Sequence, residues 1–182
     1  LKRMDLQKGT TQAICDVPRP RTSSGSWSRD GVILFRTNER PEIFRVAATG
    51  GQAQAVTYLN LASHEIRHSA PQFLPDGRHF VYLRVSPRAP EASGTYVGTL
   101  DAKPGEQNAT RLLPYAVGMT YVPATDSGPG HLLFLREGTL LAQPFDVSWG
   151  LGCLSEQPFE RLAPFGFDPG GERLFASQDL GA

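Results

Sequence analysis

The chain has few cysteines, no net charge of either sign and no long apolar run. Its 182 residues include two cysteines, Cys15 and Cys153. These are too few for a disulfide framework, although one bridge between them stays open. Eighteen Lys and Arg balance eighteen Asp and Glu, so the basic footprint of a nucleic-acid-binding protein is absent. No apolar run reaches the roughly 20 residues that a helix needs to cross a bilayer. We therefore expect no nucleic-acid partner and no membrane insertion by this segment.

The N-terminus also lacks an apolar stretch, so the sequence predicts no signal peptide. The chain opens on Leu1 in what reads as a strand, which indicates a piece excised from a longer protein. Hydrophobic residues make up 40% of the chain and charged residues 20%. That balance favours a packed core over disorder.

Short apolar runs are separated by frequent glycine and proline. The chain holds 19 Gly and 15 Pro, and the runs between them are rich in Val, Ile, Phe, Tyr and Leu. Long stretches of helical periodicity are missing. This pattern predicts many short strands joined by tight turns, and hence an all-β domain.

One phrase recurs along the chain: an aromatic residue, a short turn containing Asp or Gly, and an apolar strand. Its turn glycines recur at intervals of 46, 53 and 41 residues. Two copies carry an Asp-Gly pair, which is typical of a hairpin turn because such residues tolerate positive φ. We expect the aromatic before each turn to pack between neighbouring sheets. The copies are Trp27–Phe35, Phe73–Tyr82, Tyr121–Phe134 and Phe167–Phe175.

A second phrase follows each copy of the first: an apolar strand, a Gly-containing turn and a short strand. Together the two phrases give four strands per period of about 40 to 50 residues, which is typical of a propeller blade. We therefore predict an all-β fold, a β-propeller forming a single domain over 1–182. Its blades are expected at about 24–61, 66–115 and 119–163, with half blades at 1–15 and 166–182.

The two half blades supply two outer strands and two inner strands, which together amount to one blade. Their pairing would close a fourth blade and a small ring. Alternatively, the chain is an open arc of a larger propeller. The end sheets of an arc expose apolar faces and strand edges, which favour self-association.

The turn phrases W-S-R-D-G and F-L-P-D-G, with the strand phrase I-F-R-V-A-A-T-G-G-Q-A, resemble WD40-like repeats of the TolB type. The phrases from Glu65 to His79 and from Gly138 to Asp146 are similar to propellers that follow the kinase domain in some bacterial serine/threonine protein kinases. The resemblance covers nearly the whole chain. It implies an accessory sensory or recruiting propeller, extracytoplasmic if the kinase link holds and otherwise cytoplasmic. The kinase motifs themselves are absent from this sequence.

Residues 64–68, H-E-I-R-H, fit the zinc-protease pattern H-E-x-x-H. That chemistry needs both imidazoles on one face of a helix, with the glutamate as general base. Pro71 would end a helix three residues after His68. Pro71 and Leu74 also stand where the extended pattern needs its Gly and third His. We therefore expect no metal site, no cofactor and no catalytic residue in this chain.

His64, Glu65 and His68 are nevertheless the candidate binding residues. They precede a predicted innermost strand, close to one face of a propeller channel, where ligands and partners commonly bind. The alternative is that Glu65 and His68 brace neighbouring blades through hydrogen bonds.

The predicted function is a non-catalytic interaction or sensory module for a protein or small ligand. Fold alone does not fix the ligand. One open alternative is the propeller domain of a peptidase, hydrolase or lyase whose catalytic part lies outside this chain. Another is a structural scaffold within a secreted complex.

Overall fold

A computed structural model describes residues 1–17, 22–107, 111–124, 130–145, 160–167 and 174–176. Every regular element in these ranges is a β-strand, apart from the 3₁₀ turns Leu61–Ser63 and Pro90–Ala92. The prediction of an all-β chain is therefore confirmed. No helix in this part of the chain is both long and apolar enough to cross a membrane. Cys153, like most of the predicted half blade 166–182, lies outside the described residues.

The strands fall into two compact units, Leu1–Ala116 and Val117–Ala182. In the first unit they are β1 (Lys2–Met4), β2 (Thr11–Ala13), β3 (Thr22–Trp27), β4 (Val32–Thr37), β5 (Phe44–Ala47), β6 (Gln54–Ala55), β7 (Arg67–Phe73), β8 (His79–Val85), β9 (Gly94–Thr99) and β10 (Arg111–Leu113). In the second they are β11 (Met119–Val122), β12 (His131–Arg136), β13 (Thr139–Pro144), β14 (Glu160–Phe167) and β15 (Leu174–Ala176).

The first unit contains two four-stranded antiparallel sheets, each with its strands in chain order. One sheet is β3-β4-β5-β6, the other is β7-β8-β9-β10, and a two-stranded ribbon, β1-β2, precedes them. The second unit contains one five-stranded sheet, β11-β12-β13-β14-β15. Across the described ranges, no sheet closes on itself.

The first hairpin of each four-stranded sheet turns at the predicted Asp-Gly pair. Gly31 and Gly77 adopt φ values of 76° and 69°, which glycine reaches at no steric cost. The backbone N–H of Ser28 donates to the carbonyl of Val32 at 2.9 Å, and that of Leu74 donates to His79 at 2.9 Å. These bonds fix the register of both hairpins and confirm the turn prediction.

Strand β4 buries both of its faces. Its residues Val32 to Phe35 are all apolar, successive side chains point to opposite faces, and each face packs against a different cluster. Leu34, fully buried, belongs to a cluster shared by the two four-stranded sheets. Phe35, on the opposite face, packs in a second cluster with Ile14, which lies just after β2. The shared cluster comprises Leu34, Ile43, Val56, Phe73, Phe80, Tyr82 and Tyr96.

The first strands of the two four-stranded sheets are also joined by hydrogen bonds. The hydroxyl of Ser24 on β3 accepts from the backbone N–H of Ala70 on β7 at 3.0 Å. The hydroxyl of Ser26 accepts from the N–H of Phe73 at 3.0 Å. Hydroxyls on β3 therefore accept hydrogen bonds from backbone N–H groups of β7, which is the edge strand of its own sheet.

The expected packing of the pre-turn aromatics holds for Phe73 but not for Trp27. Phe73 is buried in the shared cluster, whereas Trp27 is 52% exposed. The two residues occupy matching positions, since each is the last residue of the first strand of its sheet. Phe73 packs on the preceding four-stranded sheet. The element preceding Trp27 is the β1-β2 ribbon, which is too small to cover it.

In the second unit, β12 and β13 form a tight hairpin whose turn residues Glu137 and Gly138 both have positive φ. Strand β14 pairs with β13 along its first part and with β15 at its end, where Phe165 lies opposite Ala176. It runs without a break through positions 163–166, between the predicted third blade and the predicted C-terminal half blade. The predicted boundary between the third blade and the C-terminal half blade therefore falls inside one strand, β14.

Candidate binding site

The candidate residues lie on the connection from β6 to β7, and this connection is not helical. The side chain of Asn60 accepts from the backbone N–H of Ala62 at 3.1 Å and starts the short 3₁₀ turn. His64 ends the turn in the left-handed conformation, with φ 54° and its N–H bonded to the carbonyl of Leu61. Strand β7 begins three residues later at Arg67. The helical i, i+4 spacing of a zinc protease is therefore not formed.

Glu65 turns its carboxylate into the protein, where it is only 5% exposed. Its Oε2 accepts from the backbone N–H of Asn60 at 2.6 Å and lies 3.0 Å from Nε2 of His68. Its Oε1 lies 3.6 Å from the guanidinium of Arg84 on β8. The carboxylate is thus held by the connection, by β7 and by β8.

The environment of Glu65 keeps it ionised. Burial raises the pKa of this carboxyl, but the hydrogen bonds from His68 and from the backbone of Asn60, together with the charge of Arg84, outweigh burial and leave the pKa below its usual value. A buried carboxylate with this many donors serves to fix its neighbours rather than to accept a proton at neutral pH.

Arg84 connects the carboxylate to two tyrosines. Its Nε and Nη2 donate to the hydroxyl of Tyr82 at 2.9 and 2.6 Å. Its guanidinium lies over the ring of Tyr96, 4.0 Å from the centroid. Burial raises the pKa of Tyr82 to about 12, against the opposing effect of Arg84. The tyrosine therefore stays neutral, and the guanidinium also lies 5.4 Å from the centroid of its ring.

His68 also contributes to contact between the sheets. It is 1% exposed, and its ring meets that of Tyr82 edge-on at 5.2 Å between centroids. Its backbone N–H donates to the carbonyl of Pro41, in the connection from β4 to β5, at 2.7 Å. With Nε2–H assigned as the donor to Glu65, Nδ1 has no hydrogen-bond partner among the described residues. The contacts of Glu65 thus hold the connection to β7 and β8, and the hydrogen bond from His68 to Pro41 reaches the β4–β5 connection of the first sheet.

His64 is separated from this pair, because its side chain is exposed. It borders a shallow depression of about 330 Å³ together with Leu61, Ile66, Pro87 and Arg88. Leu61 and Ile66 are 78% and 53% exposed, which is high for aliphatic side chains. We call these five residues the connector surface. The structure brings Glu65 and His68 together and places His64 on the surface above them.

Sequence reasoning missed Arg84, Tyr82, Leu61, Ile66 and Arg88. Arg84 is 19 positions from Glu65, and only the antiparallel pairing of β7 with β8, which sets His68 opposite Arg84, brings it close. The apolar residues Leu61 and Ile66 flank the candidate histidine in a predicted connection. Aliphatic residues at such positions were the available signal of an exposed apolar patch.

Within the described ranges, no group of three or more His, Cys, Asp or Glu side chains is arranged to hold a metal ion. Asp76, the acidic residue of the predicted turn between β7 and β8, has a structural role. The carboxylate of Asp76 accepts from the backbone N–H of Arg78 and of His79, and it also bonds the His79 ring. These bonds close the β7–β8 turn.

No protein-family model matches this chain, and no curated protein matches it either.

Proposed function

We propose that this chain is part of a β-propeller and serves as a non-catalytic interaction module that binds a protein partner through the connector surface. The proposal rests on one observation: a buried group of hydrogen-bonded and charged side chains lies beneath an exposed apolar patch. Glu65, His68 and Arg84 fix the connection from below, while Leu61 and Ile66 point outward.

The stacking of successive sheets supports the propeller part of the proposal. Propeller blades are four-stranded antiparallel meanders that pack face to face, with their first strands lining the centre. The two four-stranded sheets have this strand order and share one apolar cluster. Their first strands, β3 and β7, are neighbours joined through Ser24 and Ser26.

A rigid surface favours binding because little conformational freedom is lost on association. The depression beside His64 is open and shallow, which suits a protein side chain better than an enclosed small ligand. Of the residues that line it, Arg88 carries an exposed positive charge, whereas the carboxylate of Glu65 is buried against His68 and Arg84. The partner we propose therefore presents an apolar side chain next to a carboxylate.

The parent protein we propose is a bacterial serine/threonine protein kinase in which this propeller senses a signal or recruits a partner. The support is the similarity of the repeat phrases around Glu65–His79 and Gly138–Asp146. The reading frame upstream of this segment tests it directly. A kinase domain there supports the assignment, whereas a hydrolase domain with a G-x-S-x-G segment downstream contradicts it.

Binding is tested by cross-linking in the source cells, purification of the captured protein, and titration of that protein against variants. We expect Leu61→Ser/Ile66→Ser to weaken binding at least tenfold, since truncation of anchor residues costs more than about 1.4 kcal/mol. Leu135→Ser is the matched control, because Leu135 is 46% exposed and lies in the second unit. Equal affinity of the double variant and the control would refute the proposed surface.

A further inference from the structure

The β1-β2 ribbon has the same internal hydrogen bonds as β5 and β6, the two outer strands of the first four-stranded sheet. The backbone N–H of Ile14 donates to the carbonyl of Leu1 at 3.0 Å. The N–H of Val56 donates in the same way to the carbonyl of Ile43 at 2.8 Å. A Gln-Ala pair stands directly before Ile14 and again directly before Val56. The ribbon is therefore built as the outer half of a four-stranded sheet.

The ribbon also packs on the first sheet as β5 and β6 pack on the second. Ile14 belongs to a cluster on the first sheet, and Val56 belongs to the cluster shared with the second. The carbonyl of Ile14 accepts from the N–H of Gly51 at 3.2 Å, in the β5–β6 turn. The carbonyl of Val56 accepts from the side chain of Gln107 at 2.8 Å, in the β9–β10 connection. Within the described residues, however, the ribbon has no inner strands that correspond to β3 and β4.

The inner edge of β1 is open. In the described part of the chain, β1 pairs with β2 alone. The carbonyl of Leu1 and the N–H of Asp5 bond to residues that flank β2. Because backbone groups alternate in direction along a strand, those of Lys2 and Met4 point away from β2. The matching edge of β5 is occupied by β4.

Trp27 marks a second open surface, on β3. Phe73, at the matching position of β7, is covered by the first sheet, and its N–H donates to the hydroxyl of Ser26. Trp27 is 52% exposed, and Gly25 of the same strand is exposed as well. Ile33, opposite Trp27 on β4, is buried in the cluster that the ribbon covers. The ribbon thus covers this face as far as β4 and leaves β3 open.

We propose that a β-hairpin of a partner polypeptide binds at these two surfaces. One strand of the hairpin pairs with β1, and the other lies over Trp27. The hairpin and the ribbon together form a four-stranded sheet that packs on the first sheet. Addition of a strand to an open edge is a common mode of peptide recognition, in which main-chain hydrogen bonds provide affinity and side chains provide specificity.

The first sheet shows which side chains the hairpin carries. Leu34 lies opposite Arg45 in the β4–β5 pairing and is fully buried against the second sheet. Arg3 corresponds to Arg45, since each donates to the glutamine opposite it. The strand beside β1 therefore carries a branched apolar residue opposite Arg3. The other strand carries a hydroxyl at the position of Ser26, as an acceptor for the N–H of Trp27.

The hairpins of this chain fit the two surfaces less well. Strands β4, β8 and β12 already pair on their outer side with β5, β9 and β13, so they cannot also pair with β1. The outer edge of β15 is open among the described residues. In the β14-β15 hairpin, however, Gly166 stands at the position of Ser26 and offers no hydroxyl. These features favour a partner polypeptide over a second copy.

Calorimetric titration of the whole chain with a synthetic hairpin tests the proposal. The probe has the sequence of residues 22–37, closed by a disulfide between cysteines added at its ends, because an isolated hairpin is only marginally stable. A second probe carries Leu34→Ser. We expect the first probe to bind at least about tenfold more tightly, since it keeps the apolar anchor. Equal affinity, or no binding of the first probe at its highest soluble concentration, overturns the proposal.

A proline in β1 tests the strand pairing. Met4→Pro removes an N–H from the open edge and leaves the donors that face β2 in place. It should weaken the first probe at least about tenfold, because the added strand loses a hydrogen bond and meets the proline ring. Met4→Ala keeps the N–H and is the matched control, with the affinity of wild type. If the two variants bind the probe equally, pairing with β1 is refuted.

A second pair of variants tests the surface on β3. Trp27→Ser should weaken the probe, whereas Leu6→Ser should not, because Leu6 is 89% exposed in the β1–β2 turn, away from the open edge. Equal effects of the two substitutions contradict the proposal. Leu61→Ser/Ile66→Ser, which tests the connector surface, should leave the affinity for the probe unchanged, so that the two binding proposals fail separately.

Hydrogen exchange on the wild-type chain makes the test independent of how the variants fold. The bound probe should slow exchange of the Met4 N–H. It should leave that of Asp5, which already bonds to Thr10 at 2.9 Å, nearly unchanged. Unchanged exchange at Met4 with the probe bound overturns the pairing. Sedimentation without probe tests the second copy: self-association that Met4→Pro abolishes and Met4→Ala retains would overturn the partner assignment.

Discussion

Removal of the Glu65 carboxylate should destabilise the fold far more than removal of an exposed one. In Glu65→Ala, the backbone N–H of Asn60 and the ring of His68 lose their acceptor, and the guanidinium of Arg84 loses the carboxylate that lies 3.6 Å away. Two of these groups are side chains packed against buried tyrosines. Because His68 cannot leave that packing, its Nε2 stays in the interior without an acceptor, whereas Arg84 keeps its hydrogen bonds to the Tyr82 hydroxyl and loses only the charge opposite it.

The expected size of the effect follows from those groups. A hydrogen bond to a charged group contributes about 1.5–3 kcal/mol, and breaking a buried pair by removing one partner costs about 3–5 kcal/mol. The Arg84 side chain retains 11% exposure, so water partly replaces its lost contact. We therefore expect a loss of about 3 kcal/mol in the free energy of unfolding, at the lower end of that range.

Urea unfolding followed by circular dichroism measures this loss. Glu106→Ala is the matched control, since Glu106 pairs with Lys103 at 3.3 Å and is 64% exposed; such a surface pair contributes about 0–1 kcal/mol. A double-mutant cycle with His68→Ala should give a coupling of at least about 0.5 kcal/mol. If Glu65→Ala and Glu106→Ala lose the same free energy, the brace is not a structural element and the reasoning fails.

Two further predictions concern pH and the contact between sheets. The pKa of Glu65 is lowered, so its contribution to stability is complete above the unfolded pKa of about 4.3 and is lost as the pH falls through the folded value. Between about pH 5 and 3, the free energy of unfolding should therefore fall less steeply in Glu65→Gln than in wild type; identical slopes contradict this. Ser26→Ala removes the acceptor of the Phe73 N–H and should cost about 1 kcal/mol in urea unfolding. Thr49→Ala, at an exposed turn position, should change almost nothing, and an equal loss in both would disprove the inter-sheet role.

The strands and hairpins follow from local signals that the sequence displays. The continuous apolar run Val32–Phe35 and the Asp-Gly pairs at 30–31 and 76–77 determine strands and turns through neighbours only a few positions apart. The site was harder to predict. The E-x-x-H pair was visible as a pattern, but its burial depends on Arg84 and Tyr82, which reach it through strand pairing. The exposure of Trp27 depends on the size of the preceding β1-β2 ribbon, and the repeat pattern does not predict that size.

The uncovered Trp27 gives the protein an internal optical probe. The sequence contains two tryptophans, and the indole of Trp27 is half in water at the end of β3. Indole emission responds to the polarity of its surroundings. Any element that comes to lie on that face, from this protein or from a second copy, must displace water from the ring. A blue shift that disappears in Trp27→Phe would therefore report, without any label, that the face had been covered.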